Sequence, residues 1–199
     1  MLKNQLRPAI VLTLLLCVIT GLIYPGIVTG LAQLFFARQA QGSLIMTNGQ
    51  VIGSALIGQR FAGAKYFQPR PSGAGAGYDD TLSAGTNLGP TSAKLADTLI
   101  AGAVDLVVTK DGGTRGRIPS DMVTSSASGR DPDISPDNAR LQVGRVARAR
   151  RMDPAAVQAL VDRYTQGRQF DVLGERRVNV LRLNLVLDSV QELHNAGQR

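Results

Sequence analysis

The chain has 199 residues, 22 Lys and Arg against 15 Asp and Glu, and a formal charge of +7 at pH 7. Nucleic-acid modules interleave such charge with aromatic stacking platforms; here Trp is absent and Phe and Tyr number five and four, so a DNA- or RNA-binding role is set aside. One cysteine, Cys17, rules out an internal disulfide and a thiolate metal site, and the lone His194 near the carboxyl terminus reads as a surface residue rather than a catalytic base.

Pro8 to Ala37 is a run of thirty residues without a formal charge. At ~1.5 Å per residue a helix of that length reaches about 45 Å, beyond the ~30 Å hydrocarbon core of a bilayer. Cleaved secretory signals have apolar cores of only ~7–15 residues, so the segment predicts a retained transmembrane anchor over residues 1–38. Lys3, Arg7 and the amino terminus precede it, and Arg38 is the lone basic residue in the first twenty beyond it. That bias places the amino terminus in the cytoplasm and a single α+β domain, residues 39–199, outside.

Within the span, Thr13, Cys17, Thr20 and Gly21 share one helical face of small residues, and Gly26 and Gly30 continue it as a small-xxx-small pair. Such faces let backbones approach closely in lipid, so they are candidates for docking another membrane helix. Pro25 lacks a backbone donor and is expected to kink or end the helix near Tyr24.

Beyond the span, Ser43–Thr47 and Gln50–Ser54 flank Asn48-Gly49, the signature of a β-hairpin with a type I′ turn. Ala55–Phe61 has short helical spacing. Tyr66–Ser72 carries Pro69 and Pro71, which predict a stiff extended loop, and Gly73–Gly77 is a run able to move. It is no dinucleotide fingerprint, because Tyr78-Asp79-Asp80 follows where a helix should open, and no Gly-Lys-Ser/Thr is present. Ser83–Thr91 is turn-rich, Ser92 caps a helix through Leu95, Leu99 and Ile100, and Asp105–Lys110 reads as a strand. Thr109–Gly112 reads as a turn, and Gly112–Gly116 as a loop.

Two helices are marked by their starts. Ser135-Pro136-Asp137 supplies a cap, a proline where its missing donor costs nothing and an acid at the positive end of the dipole. That helix runs to about Arg151, and Arg140, Arg145, Arg148, Arg150 and Arg151 read as a solvated stripe or a contact with an acidic partner or anionic lipid. Asp153-Pro154 repeats the device, with Val157, Leu160, Val161 and Tyr164 as the apolar stripe and Gly167 as the stop. Val178–Leu193 is uniformly aliphatic; a buried helix is favoured over a strand.

Tyr66–Ser72 (YFQPRPS), Tyr78-Asp79, Thr86–Thr91 (TNLGPT), Ser128–Pro136 (SGRDPDISP) and Val178–Asp188 (VNVLRLNLVLD) together resemble the C subunit of the bacterial Kdp potassium-transporting ATPases. The resemblance implies a non-catalytic subunit of a high-affinity, ATP-driven potassium importer in the inner membrane. Its partners are then a channel-like A subunit, the P-type ATPase B subunit and a small F subunit. It further implies a role in assembly and as a catalytic chaperone that raises the ATP affinity of the B subunit. ATP and potassium are handled by the complex, and no catalytic, cofactor-binding or metal residue carries over.

A periplasmic domain cannot touch cytosolic ATP, so any such influence must pass through the membrane subunits as a coupling between conformational states. The domain is expected to cap the outer mouth of the A subunit, with Tyr66, Phe67, Arg70, Asn87, Gly89 and Asp131 as candidate contact residues. The competing reading is a membrane-anchored periplasmic hydrolase using Asp79 and Asp80, or Asp131 and Asp133, as acid and base. Paired acids in turns more often serve as caps and Asx-turns.

Overall fold

The computed structural model describes residues 2–47 and 49–197; for Leu2, Lys3 and residues 193–197 it describes the backbone only. The chain forms two units, Met1–Ile52 and Gly53–Arg199, of α+β composition.

The first unit opens with α1 (Leu2–Val18), a π-helical turn (Ile19–Ile23) and α2 (Tyr24–Phe35). Together they make one helix, Asn4–Phe35, whose most apolar 18-residue stretch has a mean hydropathy of 2.4, long and apolar enough to cross a membrane. Of the two outcomes expected at Pro25, a kink or an end, the helix does not end there. The π turn absorbs the missing donor: Tyr24 donates five residues back to Ile19 O, and the wider turn lies just where the proline ring would crowd the preceding carbonyls. Thr20 Oγ donates to Leu16 O at 2.7 Å, giving that carbonyl a partner within the same stretch. After Phe36 leaves helical geometry come α3 (Ala37–Ala40) and the strands β1 (Leu44–Thr47) and β2 (Gln50–Ser54), hydrogen-bonded to one another as the hairpin pattern required. Gly49 has φ +78°, as a type I′ turn demands; Asn48, expected to share that turn, lies outside the described residues.

In the second unit Ala55–Phe61, with helical spacing too short to stand alone, forms no helix. Ser54 Oγ accepts from Leu56 N at 3.0 Å, and Gly58 N donates to Arg130 O at 2.8 Å, so these amides are taken by partners other than the carbonyl four residues back. The strand expected over Asp105–Lys110 is helical as well. Lys94–Ile100 is π-helical and continues as α4 (Ala101–Asp111), with Ser92 Oγ accepting from Leu95 N near its start and Gly112 closing it at φ +75°. β-Branched residues lower helix propensity only slightly. A capped start, a left-handed glycine at the end and the burial of Val107 outweigh that loss. Thr109–Asp111 is therefore the last turn of a helix rather than a free turn.

The core is built by α5 (Pro136–Arg150), α6 (Pro154–Tyr164) and α7 (Val180–Gly197) around a three-stranded antiparallel sheet of β3 (Asp133–Ile134), β5 (Arg177–Asn179) and β4 (Thr165–Gln166). Both caps sit where the sequence put them: Ser135 Oγ accepts from Asn138 N at 3.1 Å and Asp153 Oδ1 from Ala155 N at 3.0 Å. Arg151, in a left-handed conformation at φ 55°, ends α5, and Met152 N returns to Ala147 O. α6 stops at Tyr164, ahead of Gly167, because Thr165 is drawn into the sheet opposite Val178.

The aliphatic run from Val178 divides. Its first residues form the central strand, paired on both sides, and the helix begins at Val180, where Asn179 Oδ1 accepts from Arg182 N at 3.1 Å. Ile134, Val146, Val157, Val161, Leu183 and Leu187 are fully or almost fully buried between these elements, and Phe67 joins them from the loop.

Candidate functional site

What the helices and sheet hold is the YFQPRPS loop. Asn184 of α7 accepts from Phe67 N at 2.9 Å and donates to Phe67 O at 3.0 Å. Gln142 of α5 does the same to the next residue, accepting from Gln68 N at 2.7 Å and donating to Gln68 O at 3.0 Å. Two side-chain amides thus replace the neighbouring strand that an extended segment would otherwise need, satisfying backbone groups that burial makes costly to leave unpaired. Asn138 Oδ1 accepts from Gln142 Nε2 at 2.7 Å and fixes its orientation.

The arginine stripe divides between inside and outside. Arg145 and Arg150 are buried; Arg140, Arg148 and Arg151 are exposed. Arg145 donates to Asp111 Oδ1 (2.6 Å), Ala64 O (2.7 Å), Tyr66 O (2.8 Å) and Gln142 Oε1 (2.6 Å). Arg150 donates to Lys65 O at 2.7 Å, Gln191 Oε1 at 2.8 Å and Asp188 Oδ1 at 2.8 Å, while its guanidinium lies 5.1 Å from the centre of the Tyr66 ring. The planar fork of Arg suits several acceptors at once, which is why these two point inward. The expectation of a wholly solvated stripe is corrected for both.

Further along, Ser72 acts as a hub. Its hydroxyl donates to Gly129 O at 2.6 Å and accepts from Tyr78 N at 2.9 Å and Ala74 N at 3.2 Å. The Gly73–Gly77 run, expected to be free to move, is tied down here and buries Ala74. Tyr78 donates its hydroxyl to Arg70 O, and burial pushes its pKa up to about 12. Arg130 reaches back to Leu82 O at 2.7 Å and Asp80 O at 2.6 Å.

Of the candidate contact residues, Phe67 is wholly buried and offers no surface to a partner. Arg70 and Asp131 pair with each other at 3.0 Å, joining the YFQPRPS and SGRDPDISP segments. Tyr66 is half-buried, its hydroxyl donating to Asp188 Oδ2 at 3.3 Å. Asn87, at φ 52°, and Gly89 are exposed on their turn. In the first unit Thr13, Cys17, Thr20, Gly21, Gly26 and Gly30 are all exposed, and a Cβ added at any of the three glycines would meet nothing within 4 Å.

Asp79, Asp131 and Asp133 are in structural use. Asp79 accepts from Thr81 N (2.9 Å) and Thr81 Oγ (2.6 Å), and these hydrogen bonds lower its pKa. Asp131 accepts from Asp133 N at 3.0 Å as well as from Arg70. Asp133 is pushed up by burial, and its bonds with Asn179 (3.1 Å) and Arg177 (3.2 Å) pull it partly back. Among the described residues no three His, Cys, Asp or Glu side chains converge as a metal site would require.

The clamp therefore ties YFQPRPS to Tyr78, to SGRDPDISP and to VNVLRLNLVLD, four of the five segments that carried the resemblance. The family model described as KdpC, K+-transporting ATPase, c chain, matches residues 6–189. The chain belongs to the KdpC family. It is similar to proteins named potassium-transporting ATPase KdpC subunit: that of Gemmatimonas aurantiaca is 61% identical over 188 residues, 94% of each chain. The protein so named from Acidobacterium capsulatum is 52% identical over 187 residues, 94% of this chain and 99% of that one. The one from Koribacter versatilis is 49% identical over 191 residues, 96% and 97% of the two.

Reading the sequence passed over the residues that do the clamping. Asn184 interrupts an aliphatic run at a position where a core helix would carry Leu, and Asn138, Gln142 and Arg145 stand at steps of four and three on one helical face. Polar residues on an inward face announce a buried network.

Proposed function

We propose that the chain is a non-catalytic, single-pass subunit of a high-affinity, ATP-driven potassium importer of the bacterial inner membrane. Its amino terminus lies in the cytoplasm and its second unit in the periplasm. Its partners are the channel-like A subunit, the P-type ATPase B subunit and the small F subunit, and ATP and potassium are handled by the complex. The single observation that carries this reading is the near-full-length similarity to proteins named as subunits of a potassium-transporting ATPase. The charge bias across the apolar helix supports the orientation, and the unobstructed glycines support a docking face for a partner's membrane helix.

In this reading the second unit caps the outer mouth of the A subunit, with the exposed Asn87–Gly89 turn as a candidate contact. As a catalytic chaperone the chain raises the ATP affinity of the B subunit from the far side of the membrane, by favouring one of two states of the complex. Couplings of that kind run to about 1–3 kcal/mol, a 5- to 150-fold change in affinity. The purified complex with and without this chain provides the test: without it, the KM for ATP rises by a factor in that range. Unchanged ATP dependence together with unchanged assembly would contradict the proposal.

A further inference from the structure

Between β4 and β5 the chain leaves the sheet as a small hairpin, exposed from Gly167 to Arg176. It is held firmly. Gln169 and Leu173 exchange both backbone hydrogen bonds at 2.9 Å, and Arg168 pairs with Glu175 at 2.8 Å across its base. At the tip Phe170 and Asp171 turn with φ of 52° and 58°, a left-handed conformation that a bulky aromatic seldom adopts. The result is an outward trio: Phe170 is 90% exposed, Val172 74% and Leu173 58%. Among the described large apolar residues none is more exposed than Phe170, those of the membrane helix included.

We propose that this tip inserts into the headgroup and acyl boundary of the bilayer that holds the chain's own helix, giving the second unit a reversible membrane contact. The inference needs the span but none of the partner assignments above. Residues 36–52 join the end of α2 to the second unit, so the tip belongs to a chain tethered to the bilayer that its own helix spans. The trio exposes on the order of 400 Å² of apolar surface, about half of the ~800 Å² per partner that a specific protein interface buries. That is small for a protein docking site and ample for a lipid wedge.

Charge agrees. Arg168 engages Glu175, and Arg177 engages Asp133 and Gln166; the exposed Arg176 beside an apolar tip suits an anionic headgroup. Asp171 in the turn itself limits penetration to the headgroup region.

The absence of Trp from the chain provides the test. The full-length Phe170→Trp variant is reconstituted in phosphatidylethanolamine and phosphatidylglycerol vesicles carrying acyl-brominated lipid. Insertion by ~5–10 Å predicts blue-shifted emission that loses most of its intensity to the bromines. The effect weakens when Val172→Ser and Leu173→Ser are added, and an indole placed by Leu106→Trp stays unquenched. Near-UV dichroism confirms folding, and Leu173→Trp serves if the turn does not accept the larger ring. Solvent-like emission without quenching would overturn the proposal. So would protection that appears only when other ATPase subunits are present, which would assign the tip to a protein partner.

Discussion

Asn184 carries more of this structure than its size suggests, because both ends of its amide serve one buried peptide unit at Phe67. Replacing it with Ala leaves an amide and a carbonyl unpaired, each costing ~1–3 kcal/mol. Chemical denaturation of the full-length Asn184→Ala chain should show a loss of about 2–5 kcal/mol. The arginines give a sharper contrast. Arg145→Lys keeps the charge but cannot reach four acceptors, and should cost about 2 kcal/mol, whereas the exposed Arg148→Lys should stay within ~0.5 kcal/mol. Equal effects would mean that charge alone matters along α5. Asp133 adds a pH dependence. Burial raises its folded-state pKa, so the fold binds that proton more tightly than the unfolded chain does. Its contribution is most favourable below the ordinary carboxylate range and falls as pH rises through the folded value. The stability of the wild-type chain relative to Asp133→Asn should therefore decline over that rise; an increase would reverse the assignment. At this scale the sequence was least legible. The spacing of Arg140, Arg145, Arg148, Arg150 and Arg151 says that they are basic, but only the tertiary position of α5 decides which two meet backbone carbonyls.

Elements were easier to read where a local signal fixes them. Ser135-Pro136 and Asp153-Pro154 mark helix starts through side-chain oxygens and ring geometry, and both starts stand where those residues placed them. The hairpin over residues 44–54 followed equally well from Asn48-Gly49, with Gly49 able to take positive φ. Failures arose where tertiary contacts outbid local preference. Residues 105–110 have β-branched composition yet lie inside a helix closed by Gly112, and Val178–Asn179 leave a helical pattern to fill the centre of a sheet. Loop packing was invisible for the same reason. Gly129 sits at φ +67°, and a Cβ there would stand 2.4 Å from Ala84 O and 2.9 Å from Ala74 N. Gly129→Ala must combine left-handed strain with a backbone clash, for a loss of about 2–4 kcal/mol. Gly102→Ala, in α4 with nothing within 4 Å of the added carbon, should instead be neutral or stabilise by up to ~1 kcal/mol. Paired denaturation curves of the two variants check the difference.

For the whole molecule, the long apolar run and the five quoted segments pointed to the family before any contact was known, because composition sets a membrane span and the segments recur in order. What they left unread was how YFQPRPS is held: it lies against α5, which begins where SGRDPDISP ends, and α7, which carries most of VNVLRLNLVLD, through Gln142, Asn184, Arg145 and Arg150. Asp79 serves an Asx-turn with Thr81, and Asp131 an ion pair with Arg70. In the apolar helix, the Gly26→Leu, Gly30→Leu double variant should recover less partner protein on co-purification than the wild type does. The central claim, that this chain works only as part of a potassium-transporting ATPase, is tested most directly by isolating the tagged full-length protein from native membranes and assaying ATP hydrolysis. The account predicts potassium-stimulated ATPase activity that co-purifies with the chain and is absent from the chain alone. A protein recovered without partners, or one that hydrolyses substrate by itself, would contradict it.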